Sequence, residues 1–108
     1  MAYLTAGDPS LEDTGKIASA LGRGGADLIE LGVPFSDPLA DGPVIQRASE
    51  RALKAGATLK KILEVLPRWR ESARVPMILF SYYNPILSYG LEAFARDVAR
   101  AEIGRAHV

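Results

Sequence analysis

A parallel α/β fold is the prediction, and three observations carry it. Short apolar runs lie at about Ala2–Thr5, Asp27–Val33 and Pro76–Tyr82, each the length of a strand. Segments of helical spacing alternate with them, making three βα units with one extra helix. The middle run, Asp27-Leu28-Ile29-Glu30-Leu31-Gly32-Val33, is apolar almost throughout and bounded by turn residues, as a strand covered on both faces would be.

The elements follow in order. After the strand at Ala2–Thr5, a helix is expected from about Leu11 to Gly22. Ser10-Leu11-Glu12-Asp13 resembles a capping box, and Gly22, Gly24 and Gly25 stop the helix. In the second strand Ile29, Leu31 and Val33 point onto helices, while Leu28, Glu30 and Gly32 point to the other face. The next helix spans about Val44–Ala55, with Pro43 in its first turn, Asp41 as an N-cap candidate and Gly56 at its C-terminal cap. Thr58 caps a further helix over about Leu59–Ala73, where Ile62, Leu63, Leu66 and Trp69 or Arg70 keep helical spacing. Pro67 conflicts with that helix and predicts a kink or break near Leu63–Leu66. The strand at Pro76–Tyr82 and a helix from about Leu91 complete the series.

Glu30 is out of place in its apolar run. An ionised carboxylate facing a buried side is expensive unless paired, and desolvation moves it toward the range where a general acid/base works. A Glu paired with Arg or Lys, or one at the strand's wet end, is the plainer alternative. Asp41 has its own plain reading as a helix cap. Yet Pro34, Pro38 and Pro43 stiffen the loop that carries it, which suits a site that must hold its geometry.

Tyr3-Leu4-Thr5-Ala6-Gly7-Asp8-Pro9, Glu30-Leu31-Gly32-Val33-Pro34-Phe35-Ser36-Asp37-Pro38 and Ala40-Asp41-Gly42-Pro43 together resemble the tryptophan synthase α-subunit family. Gln46, Ala48, Ala55-Gly56 and Tyr82-Tyr83-Asn84-Pro85 extend the resemblance from about Ala2 to Ala101. It implies a partial (β/α)8 TIM barrel, about the first three βα units. It also implies a lyase of tryptophan biosynthesis that cleaves indole-3-glycerol phosphate to indole and glyceraldehyde 3-phosphate without a cofactor. Carried over by the match, Glu30 is the acid/base that protonates the indole ring carbon, and Asp41 is the carboxylate that accepts the indole N–H. Tyr3 and Tyr82 match positions lining the indole pocket. Asp37, Pro38 and Asn84 match the contact with a β subunit that carries pyridoxal phosphate, in an α2β2 assembly.

TIM barrels need about 250 residues and this chain has 108, so the resemblance implies an N-terminal fragment. On that reading the isolated chain is inactive, because the later loops that grip the phosphate are missing, and poorly folded, because a partial barrel exposes the layered interior that eight strands cover. Met1 is expected to be internal, and Glu102-Ile103-Gly104-Arg105-Ala106-His107-Val108 resembles translated sequencing adapter rather than the next strand. His107, the only histidine, is therefore not recruited as a base.

Composition narrows the classes. Thirteen basic residues balance thirteen acidic ones, giving no reason to expect nucleic acid or an anionic membrane as partner. With no cysteine there is neither a disulfide nor a thiolate metal site, and a cytoplasmic protein is expected. No apolar run reaches the roughly 18 residues of a membrane span. Gly22-Arg23-Gly24-Gly25 follows a helix and precedes a strand, the reverse of a phosphate cradle. Arg68, Arg70 and Arg74 read as a solvated helix face, and Trp69 as a core or groove aromatic. Two other readings stay open: a different phosphosugar-handling barrel, and a non-catalytic half-barrel that pairs through its open edges.

Overall fold

The computed structural model describes residues 1–35 and 42–101, and the backbone alone of residues 105–107. Four parallel strands, β1 (Ala2–Thr5), β2 (Ile29–Gly32), β3 (Met77–Phe80) and β4 (Arg105–His107), lie in chain order in one sheet. Between them run α1 (Leu11–Arg23), α2 (Pro43–Lys54), α3 (Leu59–Ala73), α4 (Tyr83–Tyr89) and α5 (Leu91–Arg100). Tyr3, Glu30, Ile78 and Arg105 share one level of the register, and Thr5, Gly32, Phe80 and His107 the level two residues on.

The core lies on the helical side of the sheet. Ile29, Leu31, Met77 and Leu79 are completely or almost completely buried there, packed with Ala18 of α1 and Ile62, Leu66 and Trp69 of α3. Alternation in a strand sends their neighbours Tyr3, Glu30, Ile78 and Phe80 to the opposite face. No described helix covers that face, and Tyr3 and Phe80 are 40% and 38% exposed. Glu30 is consequently half-buried rather than sealed in, a shallower setting than its apolar run suggested.

Local chemistry sets the helix ends. Ser10 Oγ accepts the Asp13 N–H at 3.1 Å, although Asp13 answers through the Ser10 hydroxyl rather than the backbone N–H of a complete capping box. Thr58 Oγ1 accepts the Lys61 N–H at 3.1 Å. The Gly56 and Ala57 N–H groups donate to Leu53 and Ala52, closing α2 in a Schellman motif that needs the positive φ of 89° at Gly56. At the other end of α2 the N-cap is Gly42 with Pro43 following, so the N-cap position falls to Gly42 and not to Asp41.

Two expectations need correction. Helix α3 runs unbroken through Pro67. Burying Leu63 and Leu66 before the proline and Trp69 and Ala73 beyond it, at about 1.5–3 kcal/mol for each large side chain, outweighs the roughly 3 kcal/mol an internal proline costs. The third strand stops at Phe80, two residues short of the expected Tyr82, and Tyr83–Tyr89 forms a helix that local spacing does not predict. Pro85 fits because it occupies the first helical turn, whose N–H groups have no intrahelical acceptor. The backbone of Arg105–His107 pairs with Ile78–Phe80 as the fourth parallel strand.

Candidate active site

The strands deliver their C-terminal ends to one edge of the sheet, where the connecting loops begin. Ligand sites of parallel α/β folds collect at that edge. Glu30 and Tyr3 stand side by side in the register on the face without helices. Among the described residues the Glu30 carboxylate has no ion-pair or hydrogen-bond partner, so the reading of Glu30 as half of a structural ion pair finds no support in this part of the chain.

Tyr3 leans toward the loop edge. A Cβ built at Gly32 would lie 1.9 Å from Tyr3 Oη and 2.6 Å from Cζ, so the phenol occupies the space above Gly32 that any side chain would take. Beyond the strand ends, the Phe35 and Tyr82 rings meet with centroids 5.3 Å apart at 34°. This contact joins the start of the loop after β2 to the segment after β3. Tyr82 is half-buried, and Asn84 is exposed in the first turn of α4. Asp37, Pro38 and Asp41 lie outside the described residues.

A clamp that sequence spacing did not reveal lies behind this edge. Arg51 of α2 donates from Nε and Nη2 to the two carboxylate oxygens of Asp8, at 2.9 and 3.0 Å. This hydrogen bond is the main reason the guanidinium is held above its ordinary pKa. Gly7 beside it comes so near the end of α2 that an added Cβ would lie 3.3 Å from the Ala52 Cβ in the helix and 2.5 Å from the Ala57 Cβ just past it, and its N–H donates to Thr14 Oγ1 at 2.9 Å. The β1–α1 loop is thereby fixed to the helix that follows the Pro-rich loop. Forty-three residues separate Asp8 from Arg51, and no local pattern links them.

Two grooves lie away from this edge, between helices. One of 580 Å³ runs between α1 and α3, and one of 350 Å³ is lined by residues of α3, α4 and α5. Among the described residues no group of three or more acidic or histidine side chains could hold a metal, and no helix is long and apolar enough to cross a membrane.

The family's sequence profile, described as the tryptophan synthase alpha chain, matches residues 1–106. The chain belongs to the tryptophan synthase alpha chain family. It is 61% identical over 103 residues to the tryptophan synthase alpha chain of Solibacter usitatus, a match covering 95% of this chain and 39% of that one. The homologue from Geobacter sulfurreducens is 55% identical over 101 residues, covering 94% of this chain and 38% of the other. The crystal structure of tryptophan synthase subunit alpha from Legionella pneumophila superposes with a TM-score of 0.92 at 43% identity, over 97% of this chain and 40% of that one. Tryptophan synthase from Mycobacterium tuberculosis in its aminoacrylate-bound form gives 0.89 at 40% identity, over 96% and 42%. The fold is thus part of the TIM barrel of the tryptophan synthase alpha chain, and the chain spans about two fifths of the length of these relatives.

Proposed function

We propose that the protein carrying this chain cleaves indole-3-glycerol phosphate to indole and glyceraldehyde 3-phosphate, with Glu30 as acid/base and Asp41 as the carboxylate facing the indole nitrogen. The observation that supports it most is a half-buried, unpaired Glu30 on the sheet's uncovered face, in a chain of this family.

The reaction needs a proton placed on the ring carbon that bears the glycerol side chain, after which the carbon–carbon bond breaks and its electron pair returns to the ring. The side-chain hydroxyl loses a proton as it becomes the aldehyde. One proton is given and one is taken, so a single carboxyl can serve both steps, and the atoms balance without water, oxidant or cofactor. Positive charge develops on the indole nitrogen as the ring is protonated, and a fixed carboxylate at Asp41 opposes it. Tyr3, held over Gly32, and Tyr82, stacked near Phe35, offer flat apolar walls to the indole.

The alpha chain needs no cofactor of its own in this reading. The released indole passes to a β subunit carrying pyridoxal phosphate, in an α2β2 assembly of the cytoplasm, and Asp37, Pro38 and Asn84 belong to the contact. Residues 1–101 form the N-terminal part of a single barrel domain, and residues 102–108 are not native to it.

The test is Glu30→Gln in the full-length protein, which keeps the shape and removes the transferable proton. Indole release should fall by about 10²–10⁴-fold with the thermal midpoint unchanged. Retention of most of the rate would remove Glu30 from the mechanism. Asp41→Asn should cost about 10²–10³-fold, and a normal rate there would leave Asp41 with a structural role alone.

A further inference from the structure

We propose that the groove between α1 and α3, on the opposite side of the sheet from Glu30, binds a small amphiphilic carboxylate. Its 580 Å³ lies within the roughly 300–1,000 Å³ of small-molecule sites. The inference stands independently of the catalytic reading.

The first support is Trp69. Its side chain is only 5% exposed, yet among the described residues its indole N–H has no hydrogen-bond partner. Solvent reaches the nitrogen, so a ligand in the groove can supply the acceptor that the described residues do not. Gly15 lines the groove, and a Cβ there would lie 2.7 Å from Trp69 Nε1 and 2.8 Å from Cδ1. The donor edge of the indole therefore rests over the groove floor, in space left open because residue 15 has no side chain.

The second support is charge. Lys16, Arg23 and Arg68 line the groove against one acid, Glu12. Lys16 is shared between Glu12 at 3.8 Å and Asp13 at 4.0 Å, while Arg23 and Arg68 make no ion pair among the described residues. An acceptor for the indole N–H that is also anionic satisfies both features, and guanidinium matches carboxylate geometry well. Leu11 and Val65 offer apolar contact to the body of such a ligand, which a bare inorganic anion would leave unused.

The probe is 4-phenylbutyrate, titrated into ¹⁵N-labelled full-length protein while the Trp69 indole N–H resonance is followed, assigned by its loss in Trp69→Phe. We expect a saturable shift with Kd below about 1 mM. Binding should weaken at least about tenfold for 4-phenylbutyramide, which lacks the charge, and at least about tenfold in Arg68→Gln, whose indole release should equal that of the parent protein. Absence of a saturable shift, or equal binding of acid and amide, overturns the proposal. So does binding that survives Arg68→Gln and is displaced by indole-3-glycerol phosphate, since that would put the carboxylate in the catalytic cavity.

Discussion

Gly32 and Tyr3 form one unit, because the phenol fills the volume that a side chain at residue 32 would need. Gly32→Ala is expected to push the Tyr3 ring off its seat and destabilise the full-length protein by about 1–3 kcal/mol, the usual cost of overpacking. Adding Tyr3→Ala to that variant should restore part of the loss, and denaturant unfolding of the single and double variants measures the coupling. A second residue-scale strain sits at Arg74, which caps α3 with a left-handed φ of 57°. Glycine adopts that conformation without the clash of a Cβ, so Arg74→Gly should raise stability by about 0.5–1 kcal/mol in the same assay.

At the scale of elements, the α1–α3 contact is built from small residues on α1. A Cβ at Gly22 would lie 2.2 Å from the Ala73 carbonyl oxygen, so the two helices meet backbone to backbone at that end. Alanine is the better helix former by about 1 kcal/mol, but here it would meet backbone that cannot swing away. Gly22→Ala should therefore give a net loss of about 1–2 kcal/mol, read from the thermal or denaturant midpoint. Helices α4 and α5 are joined by a hydrogen bond from the Tyr89 hydroxyl to the Asp97 carboxylate. That bond, with support from Arg96 and Arg100, holds Asp97 below the ordinary carboxylate range, and it raises Tyr89 above the ordinary phenol value. A depressed Asp97 contributes stability that is complete above its unfolded pKa of about 4 and is lost as the pH falls through its lower folded value. A raised Tyr89 contributes below its unfolded pKa of about 10 and loses that contribution as the pH rises through its folded value. Tyr89→Phe should thus be less stable than the parent at pH 7 and converge with it in strong acid, as unfolding curves at several pH values would record.

At the scale of the whole molecule, the sheet has one face buried under helices and one that the described residues leave open. Tyr3, Ile78 and Phe80 are apolar surface there, and edges of parallel strands invite pairing. The 108-residue chain on its own is expected to self-associate and to release no indole, because remote contacts to the substrate also drive the reacting centre toward its transition state. Sedimentation with an indole assay checks both. A monodisperse, active chain would show that these residues suffice.

Much of this architecture was legible in local sequence because local physics dictates it. Ser10, Thr58 and Gly56 act within a turn of their own helices, and the alternation of Ile29, Glu30, Leu31 and Gly32 follows from strand geometry. The oddity of Glu30 could likewise be seen from its apolar neighbours. Tertiary packing decided what depends on residues distant in the chain. It kept α3 continuous through Pro67, because burial on both sides of the proline outweighs one lost hydrogen bond. It brought Asp8 to Arg51, seated Tyr3 over Gly32 and set Trp69 against Gly15. Those contacts are matters of shape between elements, and a periodic pattern along one element contains no record of what its neighbour presents.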